Sequence, residues 1–179
     1  MDERRTVLIE PSPGPVVWLG GVGVVVKVSA GQTSGAVSVV EHPVLPGALV
    51  PPHIHHGEDE LSYVIDGTIG ARVGDEVVEA SQGAYILKPR GVPHTFWNAT
   101  DRPARVLEFI WPGGFERFFD ELGAEFAAGA GIPNQDAVAR LADRYRQTFV
   151  MDWVPELEQR YGVSVLHSGG TDYRSETNQ

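Results

Sequence analysis

Short segments of alternating apolar residues, separated by turns rich in glycine and serine, occupy most of the first 112 residues. Val22, Val24, Val26 and Val28 recur with period two, which is the spacing of side chains on one face of a β-strand. Val37 and Val39 continue the pattern, and the further predicted strands are 61–65, 68–73, 77–80, 84–88, 95–98 and 105–111. Many short strands with frequent turns predict an all-β sandwich or barrel.

The spacing of the apolar residues changes after Gly114. An apolar stripe then recurs at the spacing of an α-helix that buries one face, and it consists of Phe115, Phe118, Phe119, Leu122 and Phe126. The pattern therefore predicts a helical extension from 113 to 167 after a β-barrel domain over 1–112, and the polar segment 168–179 is predicted to be a disordered tail.

Two more helices are predicted in the extension. Asn134 is a favourable N-cap for the first, and its inward face is predicted to carry Val138, Leu141 and Tyr145. The second runs from Pro155 in its first turn to Gly162 just past its end. The phenylalanine stripe is therefore interpreted as packing surface against the barrel or a partner subunit.

Two stretches at fixed spacing carry four candidate metal ligands, His53, His55, Glu60 and His94. The first stretch, 47–67, is Gly-x5-His-x-His-x4-Glu-x6-Gly, and the second, 83–98, is Gly-x5-Pro-x-Gly-x2-His-x3-Asn. Alternation in a strand places His53 and His55 on the same side. The polar turn that follows allows Glu60 to return on a neighbouring strand, and a second tight connection delivers His94.

Three imidazoles and one carboxylate suit one divalent transition metal per chain, and Fe, Ni, Mn, Co, Cu and Zn are all compatible. A metal that prefers five or six ligands keeps open positions for a substrate or dioxygen. Glu58 and Asp59 are rival carboxylates, and only the spacing favours Glu60. His56 is interpreted as a solvated turn residue or an outer neighbour of the site, because alternation turns it away from His55.

Both stretches match the paired motifs of the cupin superfamily without a gap, and the resemblance covers roughly 35–112. This resemblance implies a double-stranded β-helix, or jelly-roll, barrel with the helical extension at its C-terminal side. It also implies a homodimer.

The segment 112–123 resembles the one that follows the barrel in single-domain, quercetinase-like bacterial cupins. The resemblance implies a metal held by three histidines and one glutamate, which binds a flavonol and O2 and opens the heterocyclic ring. It also implies that Glu60 is both a ligand and a catalytic base, and a carboxylate beside a cation can serve both purposes.

Alternation from the four ligands predicts which side chains line a substrate pocket. The candidates are Ser62, Val64, Tyr85, Phe96, Asn98, Phe109 and Trp111. They predict a mainly apolar, aromatic cavity for a flat, oxygen-bearing organic molecule, because a sugar phosphate would call for buried arginine or lysine.

Three functions are therefore open. The first is a dioxygenase of quercetinase type that acts on a flavonol-like or enolic substrate with O2. The second is a redox-neutral cyclase or isomerase that acts on a polyketide-like substrate, with the metal as Lewis acid. The third is a small-molecule sensor or binding module without catalysis.

Charge and composition narrow the partners and the location. A net charge of −10 argues against nucleic acid and anionic membrane surfaces. With no cysteine, thiolate metal sites are excluded. The N-terminal residues lack the apolar run of a signal peptide, and the apolar stretch 16–28 is too short to span a bilayer. A cytoplasmic protein that binds a small molecule is therefore expected.

Overall fold

The computed structural model describes residues 8–9 and 16–165, which form two antiparallel sheets followed by helices. The predicted tail at 168–179 and the end of the predicted extension, 166–167, lie outside these residues. The all-β class with a C-terminal helical extension is confirmed, and the architecture is the cupin jelly-roll.

Strands belonging to sheet I have the spatial order β1-β2-β3-β10-β5-β8. They are β1 (Val17–Leu19), β2 (Val22–Val28), β3 (Ser38–Val44), β5 (Asp59–Asp66), β8 (Tyr85–Lys88) and β10 (Ala104–Trp111). Strands belonging to sheet II have the order β11-β4-β9-β6-β7. They are β4 (His53–His55), β6 (Thr68–Val73), β7 (Glu76–Ser81), β9 (His94–Trp97) and β11 (Gln147–Phe149).

Three helices follow the barrel strands in the described part of the chain: α1 (Glu116–Ala128), α2 (Gln135–Arg144) and α3 (Val154–Tyr161). Asn134 caps α2 as predicted, because its side-chain oxygen accepts a hydrogen bond from the Ala137 backbone N–H at 3.0 Å. Gly162 ends α3 in the left-handed conformation, with φ 66°. The sequence did not predict β11, which lies between α2 and α3 and pairs with β4.

The barrel interior contains an apolar cluster to which both sheets contribute. Val44, Val64 and Val106 come from sheet I, and Ile69 and Phe96 come from sheet II. Burial of this apolar surface holds the two sheets face to face.

A second apolar cluster joins sheet I to the helical extension. Val40 and Ile110 pack against Phe115 and Phe118 near the start of α1 and against Leu141 of α2. The phenylalanine stripe is therefore packing surface, as predicted, and it covers one end of the barrel.

Helix α3 packs on sheet II. Its Leu157 is buried against Trp97 of β9, and the Tyr161 ring lies 4.6 Å from the Trp97 ring. Gly70 faces Trp97 on the adjacent strand, where a Cβ atom would lie 2.3 Å from the indole, so the indole fits only over glycine. Among the described helices, none has the length and apolar character needed to cross a bilayer.

Candidate metal centre

Both sheets contribute to a buried cluster of the four predicted ligands. β4 presents His53 and His55 to the interior and turns Ile54 away, and β9 places His94 opposite His53 in register. Glu60 comes from β5 in sheet I. All four side chains are at least 92% buried, since the most exposed, His53, is 8% exposed.

Potential ligand atoms of His53, His55, Glu60 and His94 all lie within 4.8 Å of one another. The His53 ring centroid is 4.8 Å from that of His55 and 4.5 Å from that of His94. The structure therefore brings the four predicted residues to one point between the sheets.

Backbone carbonyl groups orient two of the imidazoles. The Nδ1 atom of His53 lies 2.7 Å from the Pro51 oxygen, and Nδ1 of His94 lies 2.9 Å from the Val92 oxygen. A carbonyl only accepts, so each Nδ1 carries the proton and each Nε2 keeps a lone pair for a metal. Nδ1 of His55 instead faces a carboxylate oxygen of Glu58, 3.7 Å away.

Burial keeps two of the imidazoles, those of His53 and His94, neutral. It is the main cause that lowers the pKa of His53 well below its ordinary value, and the neighbouring imidazoles of His94 and His55 lower it further. Burial also lowers the pKa of His94, against the opposing effect of Glu60. Neutral imidazoles are the form that coordinates metals.

Glu60 is ionised despite its burial. Burial alone would raise the pKa of its carboxyl group, but Lys88 and His55 outweigh that effect and hold the pKa well below the usual range. Its Oε1 lies 3.2 Å from Nε2 of His55, and its Oε2 lies 3.2 Å from Nε2 of His94. Each oxygen of the ionised carboxylate thus faces one ring nitrogen.

The predicted apolar cavity did not include two charged residues that the structure buries beside the cluster. Lys88, 2% exposed, points into the barrel with Nζ 3.0 Å from Glu60 and 2.8 Å from Glu108, which is also 2% exposed. Ser62 contacts Glu108. The buried lysine also removes the argument that excluded anionic substrates.

The ammonium group of Lys88 forms ion pairs with two buried carboxylates, those of Glu60 and Glu108. Burial raises the pKa of Glu108 to about 7, and Lys88 counteracts this only in part. Burial would lower the pKa of Lys88, but the two carboxylates raise it above its ordinary value. Near neutral pH the trio therefore contains Lys88 and Glu60 in their charged forms and Glu108 in the middle of its titration.

Three of the proposed pocket residues face the wrong way. Tyr85 is 66% exposed, because the inward side chains of β8 are Ile86 and Lys88. Phe109 and Trp111 lie half-buried on the face of β10 opposite to Glu108. The prediction that these three aromatic residues line the pocket is wrong.

The remaining proposed pocket residues are buried, but they differ in what they contact. Ser62, Val64 and Phe96 face the barrel interior, at 1%, 0% and 5% exposure. Asn98 instead holds the following turn: its amide donates to the carbonyl groups of Val44 and Arg102, and its oxygen accepts from Thr100. These contacts make Asn98 a turn anchor, not a pocket wall.

The rival ligands lie outside the cluster. Asp59 forms an ion pair with Arg90 at 2.6 Å, and Glu58 lies behind His55. His56 is exposed, with Nε2 2.9 Å from the Thr148 hydroxyl, as expected for a turn residue. The geometry therefore favours Glu60 over both neighbouring carboxylates.

Aromatic rings of α1 cover the cluster on the helical side. The Phe115 ring centroid lies 4.2 Å from that of His55, and the Phe119 ring lies 5.6 Å from His42. His42, which the sequence did not single out as a site residue, is buried on β3 with Nδ1 2.9 Å from the Gly23 oxygen. Burial lowers its pKa to about 4, so it is neutral at physiological pH.

The donor set fits a divalent transition metal. Both ring nitrogens of His55 and Nε2 of His94 are buried without a hydrogen-bond partner, a state that costs about 1–3 kcal/mol per group unless another partner is present. Ligand atoms about 2.0–2.2 Å from one ion lie at most about 4.4 Å apart. The observed spread of 4.8 Å therefore needs only a small contraction.

Sequence comparison finds a family match within the barrel. Residues 40–110 match the family model described as the cupin domain. The barrel has the cupin jelly-roll fold. The matched cupin segment includes all four clustered residues, together with Lys88 and Glu108.

Two relatives come from Streptomyces. This chain is 34% identical over 84 residues to the tetracenomycin polyketide synthase protein TcmJ of Streptomyces glaucescens, an alignment that covers 47% of this chain and 55% of TcmJ. Protein SchB of Streptomyces halstedii is 32% identical over 84 residues, with 47% and 59% covered. The chain thus spans little more than half the length of the curated relatives it matches.

A solved structure agrees with the fold. KdgF from Halomonas sp. superposes with a TM-score of 0.53 at 17% identity, over 58% of this chain and 91% of KdgF. At this identity the likeness concerns the cupin fold alone.

Proposed function

We propose that this cupin is a metal-dependent, redox-neutral enzyme, a cyclase or isomerase, that acts on a polyketide-like substrate. The observation that carries the proposal is the buried cluster of three imidazoles and one ionised carboxylate. The similarity to a polyketide synthase protein favours this substrate class over a flavonol.

The residues of the cluster suit carbonyl chemistry. A bound metal supplies Lewis acidity, which polarises a carbonyl oxygen. In our proposal His53, His55, His94 and Glu60 hold that metal. Glu60 is ionised at neutral pH, so its carboxylate can accept a proton without losing one first.

A methylene group between two carbonyls is the natural proton donor in a polyketide. In the proposed cyclisation, Glu60 takes that proton and the carbanion attacks a second carbonyl carbon of the same chain. One C–C bond forms as the C=O π bond of the attacked carbonyl breaks, Glu60 returns its proton to the resulting alkoxide oxygen, and loss of that hydroxyl with a neighbouring C–H proton later releases water. No electrons are exchanged with an external oxidant.

Buried side chains around the cluster support the selection of a carbonyl-rich molecule. Phe96 and Phe115 provide apolar walls, and Lys88, paired with Glu60 and Glu108, adds an ionised group among them. The mixture suits a substrate with alternating methylene and carbonyl groups better than a purely apolar one.

The donor set also favours a second candidate, the dioxygenase of quercetinase type. Three histidines and one glutamate are the ligands that the sequence resemblance implies for that chemistry, and all four meet in the structure. The two candidates differ in their need for O2.

A cyclisation assay in the presence and absence of O2 tests the proposal. A linear 1,3,5,7-tetraketone, in which a methylene between two carbonyls can close a six-membered ring, is incubated with the Zn²⁺, Ni²⁺, Mn²⁺, Co²⁺ and Fe²⁺ forms, and ring formation is followed by absorbance and chromatography. We expect equal rates with and without O2. Glu60→Gln should lose turnover, and the control His56→Ala should keep it. Oxygen uptake coupled to flavonol cleavage would replace the proposal with the dioxygenase.

We also propose a homodimer that uses the outer face of sheet I. Tyr85 and Leu87 are 66% and 55% exposed there, and the Tyr63 ring packs against Tyr85 at 4.8 Å. Apolar side chains on an open sheet face favour a partner surface. Sedimentation equilibrium should give twice the chain mass for the wild type and a smaller mass for Leu87→Asp, and a wild-type monomer would refute the dimer.

A further inference from the structure

Lys88 is one of only two lysines in the chain, the other being Lys27. Its Nζ contacts Oε2 of Glu60 at 3.0 Å and Oε2 of Glu108 at 2.8 Å, and its side chain is 2% exposed. A lysine is rarely buried so completely, because its ammonium group loses its hydration. The contacts with two carboxylates therefore suggest a role that a neutral side chain could not fill.

Three adjacent strands of sheet I fix this arrangement. Glu60 on β5 lies opposite Lys88 on β8, and Ser62 on β5 lies opposite Glu108 on β10. The Ser62 hydroxyl lies 3.1 and 3.2 Å from the two oxygens of Glu108. Ser62 thus orients Glu108, which anchors Lys88, and Lys88 contacts Glu60.

The contact makes the two oxygens of Glu60 unequal. Oε1 faces Nε2 of His55 at 3.2 Å, whereas Oε2 faces both Nε2 of His94 at 3.2 Å and the ammonium of Lys88 at 3.0 Å. An ammonium repels a divalent cation and occupies a lone pair on Oε2. Oε1 is therefore the oxygen better placed to coordinate an ion.

We propose that Lys88 is a positioning residue that restricts Glu60 to coordination through one oxygen and so keeps a coordination position open for a substrate oxygen. The inference rests on the metal site of the proposed function. This role explains why Lys88 is buried beside the candidate ligands. Glu108 and Ser62 then hold Lys88 in place.

The effect of Lys88→Met distinguishes positioning from simple support. If Lys88 only supported the fold, its loss would loosen the cluster. If it restrains Oε2, its loss lets both oxygens of Glu60 bind the ion, and the open position closes. If Lys88 acted only through its charge, its loss would change the metal affinity but not the number of ligand atoms around the ion.

The test uses the Co²⁺-loaded protein, because the visible spectrum of Co²⁺ reports its coordination number. For Lys88→Met we expect a changed visible spectrum and binding of acetylacetone, a small diketone probe, weakened by about 10-fold or more. Lys88→Arg keeps a cationic donor and should resemble the wild type in both measurements. Lys27→Met, on an outer ion pair with Glu41, is the matched control.

A double variant keeps the inference testable if Lys88→Met does not fold. Lys88→Met combined with Glu108→Gln removes both charges of the supporting pair and should show the same spectral change. A wild-type spectrum and wild-type acetylacetone affinity in either folded variant would overturn the role of Lys88. Failure of the wild-type protein to bind Co²⁺ at all would instead overturn the metal site itself.

Discussion

The two sheets meet at the candidate metal centre, but they position their side chains by different means. Sheet II supplies three imidazoles, and two of them are held by carbonyl groups of residues two positions earlier, Pro51 and Val92. Sheet I supplies Glu60, which is held across strands by Lys88. One side is organised locally along the chain, and the other depends on the pairing of distant strands.

Because the two sheets position their side chains differently, mutations in sheet I and in sheet II should have different consequences. His53 and His94 are neutral, so the loss of either removes a candidate metal ligand without leaving a buried charge unpaired. On sheet I, Glu60 and Lys88 are charged and paired, so the loss of either leaves an uncompensated charge in the interior. We expect metal affinity to respond mainly to sheet II and stability of the metal-free protein mainly to sheet I.

The largest expected effect on stability is that of Lys88→Met in the metal-free protein. Because it leaves two buried carboxylates without their cation, it should lower the free energy of unfolding by about 3–5 kcal/mol. Urea unfolding in the presence of a chelator measures this. Lys27→Met, on the exterior pair, should change it by less than about 1 kcal/mol, and equal losses in the two variants would contradict the comparison.

Glu108→Gln should change how stability depends on pH. The pKa of Glu108 is raised from 4.5 to about 7 in the folded protein, so between these values the unfolded chain releases a proton that the folded chain retains. Wild-type stability therefore falls as pH rises through this window, by up to about 3 kcal/mol. The variant lacks this titrating group. Between pH 4.5 and 7 its free energy of unfolding should therefore fall less than that of the wild type.

Unfolding curves of the metal-free proteins at several pH values measure this gain. Glu41→Gln, which changes a carboxylate on the outer face of sheet I, is the matched control and should remain parallel to the wild type. If the Glu108→Gln curve also stayed parallel, the buried acid would not titrate as inferred.

On sheet II, His94→Ala should reduce Co²⁺ affinity on the order of 100-fold, or about 2.7 kcal/mol. The imidazole offers an Nε2 lone pair that no neighbouring side chain replaces, since this atom is buried without a hydrogen bond. Isothermal titration calorimetry measures the loss. His56→Ala, outside the cluster, should bind Co²⁺ as tightly as the wild type, and retained affinity in His94→Ala would remove His94 from the ligand set.

The smallest expected effect is at Glu58, behind His55. Glu58→Gln removes the carboxylate that faces Nδ1 of His55 at 3.7 Å, and loss of such an outer partner should weaken Co²⁺ binding by about 10-fold. Asp59→Asn, the adjacent carboxylate that pairs with Arg90 on the surface, is the matched control and should leave Co²⁺ affinity unchanged. If the two variants behave alike, Glu58 has no specific effect on His55.

Local patterns were enough to predict the part of the site that is organised locally. The alternation of His53 and His55 and the helix signals at Asn134 and Gly162 each depend on residues a few positions apart. The strand β11 was not predicted, because three residues between helices carry too little periodicity.

Charge explains the incorrect part of the pocket prediction. A lysine or glutamate in a strand is normally exposed, and outward directions for Lys88 and Glu108 would turn Tyr85, Phe109 and Trp111 inward. The two charges are in fact buried, so each strand has the opposite orientation. Only the register of β5 with β8 and β10 shows that the charges compensate one another.

The pairing of β4 with β11 has a consequence for how the site is assembled during synthesis. His55 lies opposite Gln147, and His53 lies opposite Phe149. A ribosome adds about 5–20 residues per second. Several seconds therefore pass between the synthesis of β4 and that of β11, its second pairing partner after β9. The strand that carries the histidines therefore gains its full set of neighbours only after α1 and α2 have also been made.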